Sequence, residues 1–409
     1  MGGPAKRASG WMPIPDHPLY GCDAITLLTV LARNGGPRGR GWPTALAALA
    51  SAVGRAPFSL AEAGWVAARR RKGAGLPPPV FILGHWRSGT THLYNVLSRD
   101  PQFGIIDPFA VGLPWDMLGL GSVLRPLLAR ALPERRYIDN VPVKADSPQE
   151  DEIALANMSP VSFYHGLYFP ERFDENLRRG LYFDGCTAAE RDAWKRRFLY
   201  FLEKVSIAQG GRCILLKNPV YSARVAMMRE IWPDARFIHI HRDPRAVYVS
   251  TVGFYRTLLA RLALQPHGHI DVERVVLDHY PRIMQALIDD TADLPANRFA
   301  EVPFERFERA PLEEVERLYQ TLELPGYAAA RPKFEAYLGA VSDYAKNRHR
   351  LSDEGRERVD REWAPFVARW GPVWREGLCP LPNPPPLSRE RGLPPLRSKF
   401  PPSPKAGEG

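Results

Sequence analysis

Short continuous apolar runs recur along this chain, and each leads into a segment of helical period. Val80-Phe81-Ile82-Leu83 passes through a glycine loop into a predicted helix over about 90–99. Cys213 to Leu216 is followed by a helical pattern over 220–232, and Phe237 to His241 by one that starts at Pro244. A shorter run, Phe299 to Val302, precedes a helical stretch over 312–322. Runs of strand length without alternation describe strands buried on both faces. Strands that alternate with helices predict an α/β fold, a three-layer parallel sheet flanked by helices. Ligands of such sheets bind at the carboxyl ends of the strands.

Three helices are predicted ahead of the first strand, over about Asp23–Arg33, Pro43–Val53 and Leu60–Arg71. Pro43 suits a helical first turn, and Arg69, Arg70, Arg71 and Lys72 complement the dipole at a helix end. That cationic run reads either as a solvated helix end or as a patch for anionic lipid or an acidic partner. Residues 380–409 include ten prolines. Such a segment cannot bury a core and is expected to be disordered. The chain thus divides into a basic helical extension (1–75), a main domain (76–376) and a Pro-rich tail (377–409).

Composition changes this picture little until charge is located. The chain has 409 residues, 45% hydrophobic and 24% charged, which suits a globular protein. A net charge of +10 raises the question of nucleic acid. Residues 1–75 hold ten Lys/Arg and three Asp/Glu, and residues 377–409 hold five and two, leaving 40 of each sign between them. The main domain is neutral, so a nucleic-acid partner is not expected. The four cysteines form no CxxC pair, which argues against structural zinc or a disulfide framework. The first residues lack a signal-peptide core. The longest early apolar run, Ala24 to Ala32, is shorter than the ~20 residues of a spanning helix. A soluble, cytoplasmic protein is expected, with peripheral membrane contact through the basic N-terminal region left open.

The strongest chemical signal is GHWRSGTTH, residues 84–92. A strand, a glycine loop and a helix N-terminus make an anion cradle from backbone N–H groups. Ser88, Gly89, Thr90 and Thr91 suit contact with that anion, and Arg87 adds a cation whose fork fits phosphate or sulfonate. Gly84 and Gly89 have the spacing of the nucleotide-triphosphatase loop, but Thr90 stands where its lysine would. No apolar strand ends in a metal-binding aspartate. CILL ends in Lys217 and FIHIH in Arg242, so a metal-free anion site is expected. A second signal is HRDPRAVYVS, residues 241–250. Asp243-Pro244 reads as an N-cap with Pro at N1. Arg242 and Ser250, eight residues apart, are candidates to converge on a second phosphate.

Together these segments resemble the sulfotransferase family, which uses 3′-phosphoadenosine 5′-phosphosulfate (PAPS) as sulfonate donor. RSGTT resembles its 5′-phosphosulfate loop, with Arg87 where cytosolic members commonly carry Lys. Arg242 and Ser250 match its 3′-phosphate motif. LLKNP (215–219) places Lys217 like the family lysine near the transferred sulfonate, and VPFERF (302–307) is similar to a late strand of the fold. The resemblance covers 76 to about 370 and is closest to bacterial members. It implies a P-loop NTPase-like sulfotransferase fold and in-line transfer to a hydroxyl of a small-molecule, lipid or glycan acceptor. It also implies no metal cofactor and donor contacts from Arg87, Ser88, Gly89, Thr90, Thr91, His92, Arg242 and Ser250. The basic cluster Lys346-Asn347-Arg348-His349-Arg350 either closes over the 3′-phosphate, as a late basic segment does in the family, or is a solvated loop.

The general base departs from the cytosolic pattern, because Asn218-Pro219 replaces the histidine that follows the lysine there. Carbohydrate sulfotransferases use a glutamate, which makes Glu150, Asp151 and Glu152 the candidates beside Arg87 and Lys217. Ser147-Pro148-Gln149-Glu150 has the pattern of a capping box, which would occupy Glu150 structurally and leave Asp151 or Glu152 for chemistry. His92 and His165 are fallbacks. The acceptor pocket is expected from residues 107–185, aromatic through Phe109, Trp115, Phe163, Tyr164, Tyr168 and Phe169, with a contribution from the N-terminal helices left open. A P-loop kinase-like phosphotransferase, and a basic protein that binds nucleic acid or a membrane surface, are the competing readings.

Overall fold

A computed structural model describes residues 17–70, 76–131, 145–341 and 351–371. Five strands form one parallel sheet: β1 (Val80–Leu83), β2 (Phe103–Gly104), β3 (Cys213–Lys217), β4 (Arg236–His241) and β5 (Phe299–Pro303). Their order is β2-β3-β1-β4-β5, so β1 is central. Ile82 stands opposite Lys217 on one side, and Leu83 opposite His239 on the other. The loops that leave β1, β3 and β4 therefore open along one edge.

The continuous apolar runs are explained by the two faces of this sheet. Phe81, Leu83, Ile214, Leu216 and Phe237 point into one core. Their neighbours Val80, Ile82, Leu215, Ile238 and Ile240 point into the other. Successive side chains of a strand alternate in direction, so a strand covered on both faces needs apolar residues at every position.

The expected helix at 23–33 is α1 (Ala24–Arg33), capped by Asp23, which accepts the N–H groups of Ile25 and Thr26. The two helices expected next are one, α2 (Gly41–Arg70), which runs through Pro57. Proline removes one helical hydrogen bond and frees the carbonyl four residues back. Here that residue is Val53, which lies on the solvent side and is 59% exposed, so water can serve its carbonyl. Residues 17–70 are not a detached extension. Leu19, Cys22, Leu27, Val30 and Ala48 belong to the same core as Phe81 and Leu216.

Further elements position the site. α3 (Thr90–Leu97) follows β1, α4 is Pro108–Gly112, α5 is Leu120–Ala131 and α6 is Glu152–Ala156. The helix expected over 220–232 is a 3-10 turn, Pro219–Ala223, followed by a short helix, Val225–Ile231. Asn218 caps that turn by accepting the N–H of Val220. A helix from Pro244 to Leu262 follows β4, with Asp243 accepting the N–H of Arg245. The Pro-rich tail lies outside the described residues.

Candidate active site

The loop after β1 is shaped by two glycines. At Gly84, φ is +141°, and a Cβ would stand 2.4 Å from the Ile240 carbonyl oxygen. At Gly89, φ is +100°, and a Cβ would enter the Phe304 ring at 2.2 Å. No other residue fits either position. Between them Arg87 also takes a left-handed backbone, φ +71°. That is rare without glycine and typical of anion-binding nests, where successive N–H groups turn to one side. The loop ends at the start of α3, whose first N–H groups have no intrahelical acceptor. Ser88 is 2% exposed, and its hydroxyl has no hydrogen-bond partner among the described residues. A buried, unsatisfied hydroxyl inside such a cradle is what a bound phosphate oxygen would satisfy.

Lys217 closes β3 one strand away. Its ammonium is bound to the Glu150 carboxylate and lies 3.3 Å from Thr91 Oγ1. The cation at the end of β3, the carboxylate and the first turn of α3 thus meet at one point. Glu150 is not a capping residue. Residues 147–150 lie in no helix or strand, and the helix starts only at Glu152. The N–H of Gln149 bonds to the Ile106 carbonyl, which fixes the strip that carries Glu150.

Asp151 and Glu152, the other two candidate acids, are placed differently from Glu150. Both are fully buried. Asp151 accepts from the Tyr221 hydroxyl and from Asn218 Nδ2 at 3.2 Å. Glu152 accepts from Ser162 Oγ at 2.7 Å and from Asn218 at 3.2 Å. Burial pushes the Asp151 carboxyl up to about 6, against the opposing pull of Tyr221. Burial lifts Glu152 to about 7, against the charge of buried Arg224. These acids anchor the segment, while Glu150 keeps 15% of its side chain exposed and reaches Lys217.

The second motif joins the first directly. Arg87 donates from Nε to Ser250 Oγ at 2.9 Å. Thr251 donates to the Trp86 carbonyl at 3.3 Å. Arg242, at the end of β4, lies over the Phe304 ring with its guanidinium 4.7 Å from the centroid. Phe304 is the ring packed on Gly89, so Arg242 stands beside the loop. Three cations, Arg87, Lys217 and Arg242, therefore gather at the ends of the central strands.

Sequence reasoning passed over three supporting residues. Ser222 accepts the Gly84 N–H at 2.9 Å. Tyr221 and Asn218 pin Asp151. All three lie in the KNPVYS stretch after Lys217, the place where the histidine was missing. Of the fallbacks, His165 is fully buried, bonds to the Ala156 carbonyl at 2.9 Å and is driven by burial down to about 4. His92 packs on Phe307. Most of the aromatic residues expected around the acceptor are core instead: Phe163, Tyr168 and Phe169 are at most 1% exposed. His239 and His241 pack on Trp370, and His239 bonds to Glu301 at 3.0 Å. Lys346 and Arg348 lie outside the described residues.

A parallel sheet with a glycine loop opening onto a helix N-terminus, and cations at three strand ends, defines an α/β transferase for anionic groups. Residues 78–328 match the Sulfotransferase family, and the chain belongs to that family. Two similar curated proteins, from Mycobacterium bovis and Mycobacterium tuberculosis, are both named omega-hydroxy-beta-dihydromenaquinone-9 sulfotransferase Stf3. Each is 30% identical over 294 residues, 72% of this chain and 75% of the relative. Among solved structures, the fold is similar to sulfotransferase STF9 from Mycobacterium avium, with a TM-score of 0.61 and 18% identity over 85% of this chain and 96% of that one. It is also similar to sulfotransferase STF1 from Mycobacterium tuberculosis, with a TM-score of 0.56 and 16% identity over 84% and 91%. The protein is a sulfotransferase, and the phosphotransferase reading is set aside.

Proposed function

We propose that this enzyme takes its sulfonate from PAPS and delivers it to a hydroxyl on an apolar, lipid-like acceptor, with Glu150 as general base. The observation that carries the base assignment is the contact of Glu150 with Lys217 beside Thr91. The acceptor oxygen attacks sulfur in line, and a new O–S bond forms as the S–O bond to the 5′-phosphate breaks. The electron pair of that bond leaves on the phosphate oxygen, and the acceptor proton passes to Glu150. Lys217 and Arg87 oppose the charge that grows on the departing oxygen, while the loop N–H groups and Ser88 hold the phosphate still. Arg242 and Ser250 hold the 3′-phosphate. The lipid-like acceptor is supported by the relatives, whose name specifies a hydroxylated menaquinone derivative.

Thermal unfolding with adenosine 3′,5′-bisphosphate and a metal chelator tests the donor. Ligand near a hundredfold its Kd should raise Tm by about 5 °C. No shift with this nucleotide, alongside a shift with ATP and magnesium, would overturn the reading.

A further inference from the structure

α2 is built inside out. Between Gly41 and Ala68 its only charged residues are Arg55 and Glu62. Both point into the protein. Arg55 pairs with Asp116 at 2.5 Å and donates to the carbonyls of Tyr20 and Cys22. Glu62 pairs with Lys204 at 2.5 Å and accepts the N–H groups of Leu118 and Gly119. The outer side carries Trp42, Leu46, Val53, Phe58, Leu60 and Trp65, each 49–73% exposed. A surface helix of a soluble protein has the reverse arrangement. The neighbouring helices extend the patch: Ile25 on α1 is 79% exposed and Val123 on α5 is 76% exposed. Thirty residues of helix span roughly 45 Å. An apolar strip of that length exceeds the scattered hydrophobes of an ordinary surface.

We propose that this face of α2 docks flat on an anionic lipid bilayer. Charge selects the occupant. From Ala24 to Arg70 the only acidic residue is buried Glu62, and α5 has none. Exposed cations stand at both ends, Arg40 before the helix and Arg69 in its last turn. A second copy of the chain would set like charges together in either orientation, whereas lipid headgroups supply the missing anions. Trp42 and Trp65, near the two ends, suit the depth between acyl chains and headgroups. α2 is long and apolar enough to cross a membrane, which the sequence reading had not expected of this region. Crossing, however, would break both buried ion pairs, so the helix lies along the surface. The docked face also leads to the site. Arg125 pairs with Asp107 at 2.7 Å, and the adjacent Ile106 carbonyl holds Gln149, the neighbour of Glu150.

The test is flotation of the full chain with vesicles of equal parts phosphatidylcholine and phosphatidylglycerol, paired with sedimentation velocity without lipid. The intact chain should float, and Leu46→Glu/Leu60→Glu should reduce the bound fraction at least tenfold. Both substituted side chains are exposed, so Tm and its shift with adenosine 3′,5′-bisphosphate should stay unchanged, which separates this inference from the proposed donor chemistry. Failure of the intact chain to float would overturn the proposal, as would equal flotation of the variant. A lipid-free dimer that the variant dissolves, with no flotation by either protein, would make the face a contact between copies and overturn it too.

Discussion

Lys217 and Glu150 contact each other at the carboxyl end of β3, with the ammonium also 3.3 Å from Thr91 Oγ1. The pair joins a cation beside the loop that would hold the leaving phosphate to the one acid of its triplet that is not fully buried. Such an arrangement suits a reaction in which a proton leaves one side of a transferring group while negative charge grows on the other. Glu150→Gln keeps the shape but loses the basicity, and it should lower kcat by about 10²–10⁴-fold with little change in donor KM. Lys217→Ala should lower kcat by about 10²–10³-fold. Steady-state kinetics on both variants check this, and near-normal turnover of either would remove that residue from the mechanism.

The loop makes a separate demand on donor binding. Ser88→Ala should weaken adenosine 3′,5′-bisphosphate about tenfold, the loss expected for one hydrogen bond to a charged oxygen. Gly89→Ala forces a side chain into the Phe304 ring at a left-handed backbone position. It should cost about 1–3 kcal/mol of stability and remove most donor affinity. Calorimetric titration and denaturant melts separate the two effects.

Arg87 and Ser250 are bonded to each other, so their contributions to donor binding should not add. A double-mutant cycle with Arg87→Ala and Ser250→Ala, read in Kd for adenosine 3′,5′-bisphosphate, should show a coupling of about 0.5–3 kcal/mol. Simple additivity would mean that the loop and the second motif act independently.

The buried acids set a pH dependence of stability. Unfolded, Asp151 and Glu152 titrate near about 4. Folded, burial holds them at about 6 and about 7. Between these limits the folded chain binds protons more tightly than the unfolded chain, so stability falls as pH rises from about 4 to about 7 and then levels. Glu152→Gln should flatten the upper part of that slope in melts across this range. Parallel slopes in the two proteins would contradict the burial account.

Much of this was legible in the sequence, for reasons that differ between elements. β1, β3 and β4 were readable because strands buried on both faces need apolar residues throughout, and the run ends at Gly84, Lys217 and Arg242 marked where chemistry could gather. The short-range Asp243 cap was readable too. Long-range choices were not. The SPQE pattern at 147–150 satisfies a local capping rule, but the helix starts four residues later because Tyr221 and Asn218, about seventy residues away, draw Asp151 inward. Two helices were expected over Pro43–Val53 and Leu60–Arg71, yet ion pairs on either side of Pro57, Arg55 with Asp116 and Glu62 with Lys204, tie one continuous helix to the protein. The inverted face of α2 was hidden because its two charges look solvated until their partners are known.

The most direct measurement is transfer of labelled sulfonate from PAPS to lipid extracted from the host, with chelator present, by the intact enzyme and by Glu150→Gln, Asp151→Asn and Glu152→Gln. The expected result is a labelled lipid product from the intact enzyme. Glu150→Gln should nearly abolish it, and the two buried-acid variants should retain substantial rates once compared at equal folded fraction. No labelled product from the intact enzyme, or full activity in Glu150→Gln with loss confined to Asp151→Asn or Glu152→Gln, would contradict it.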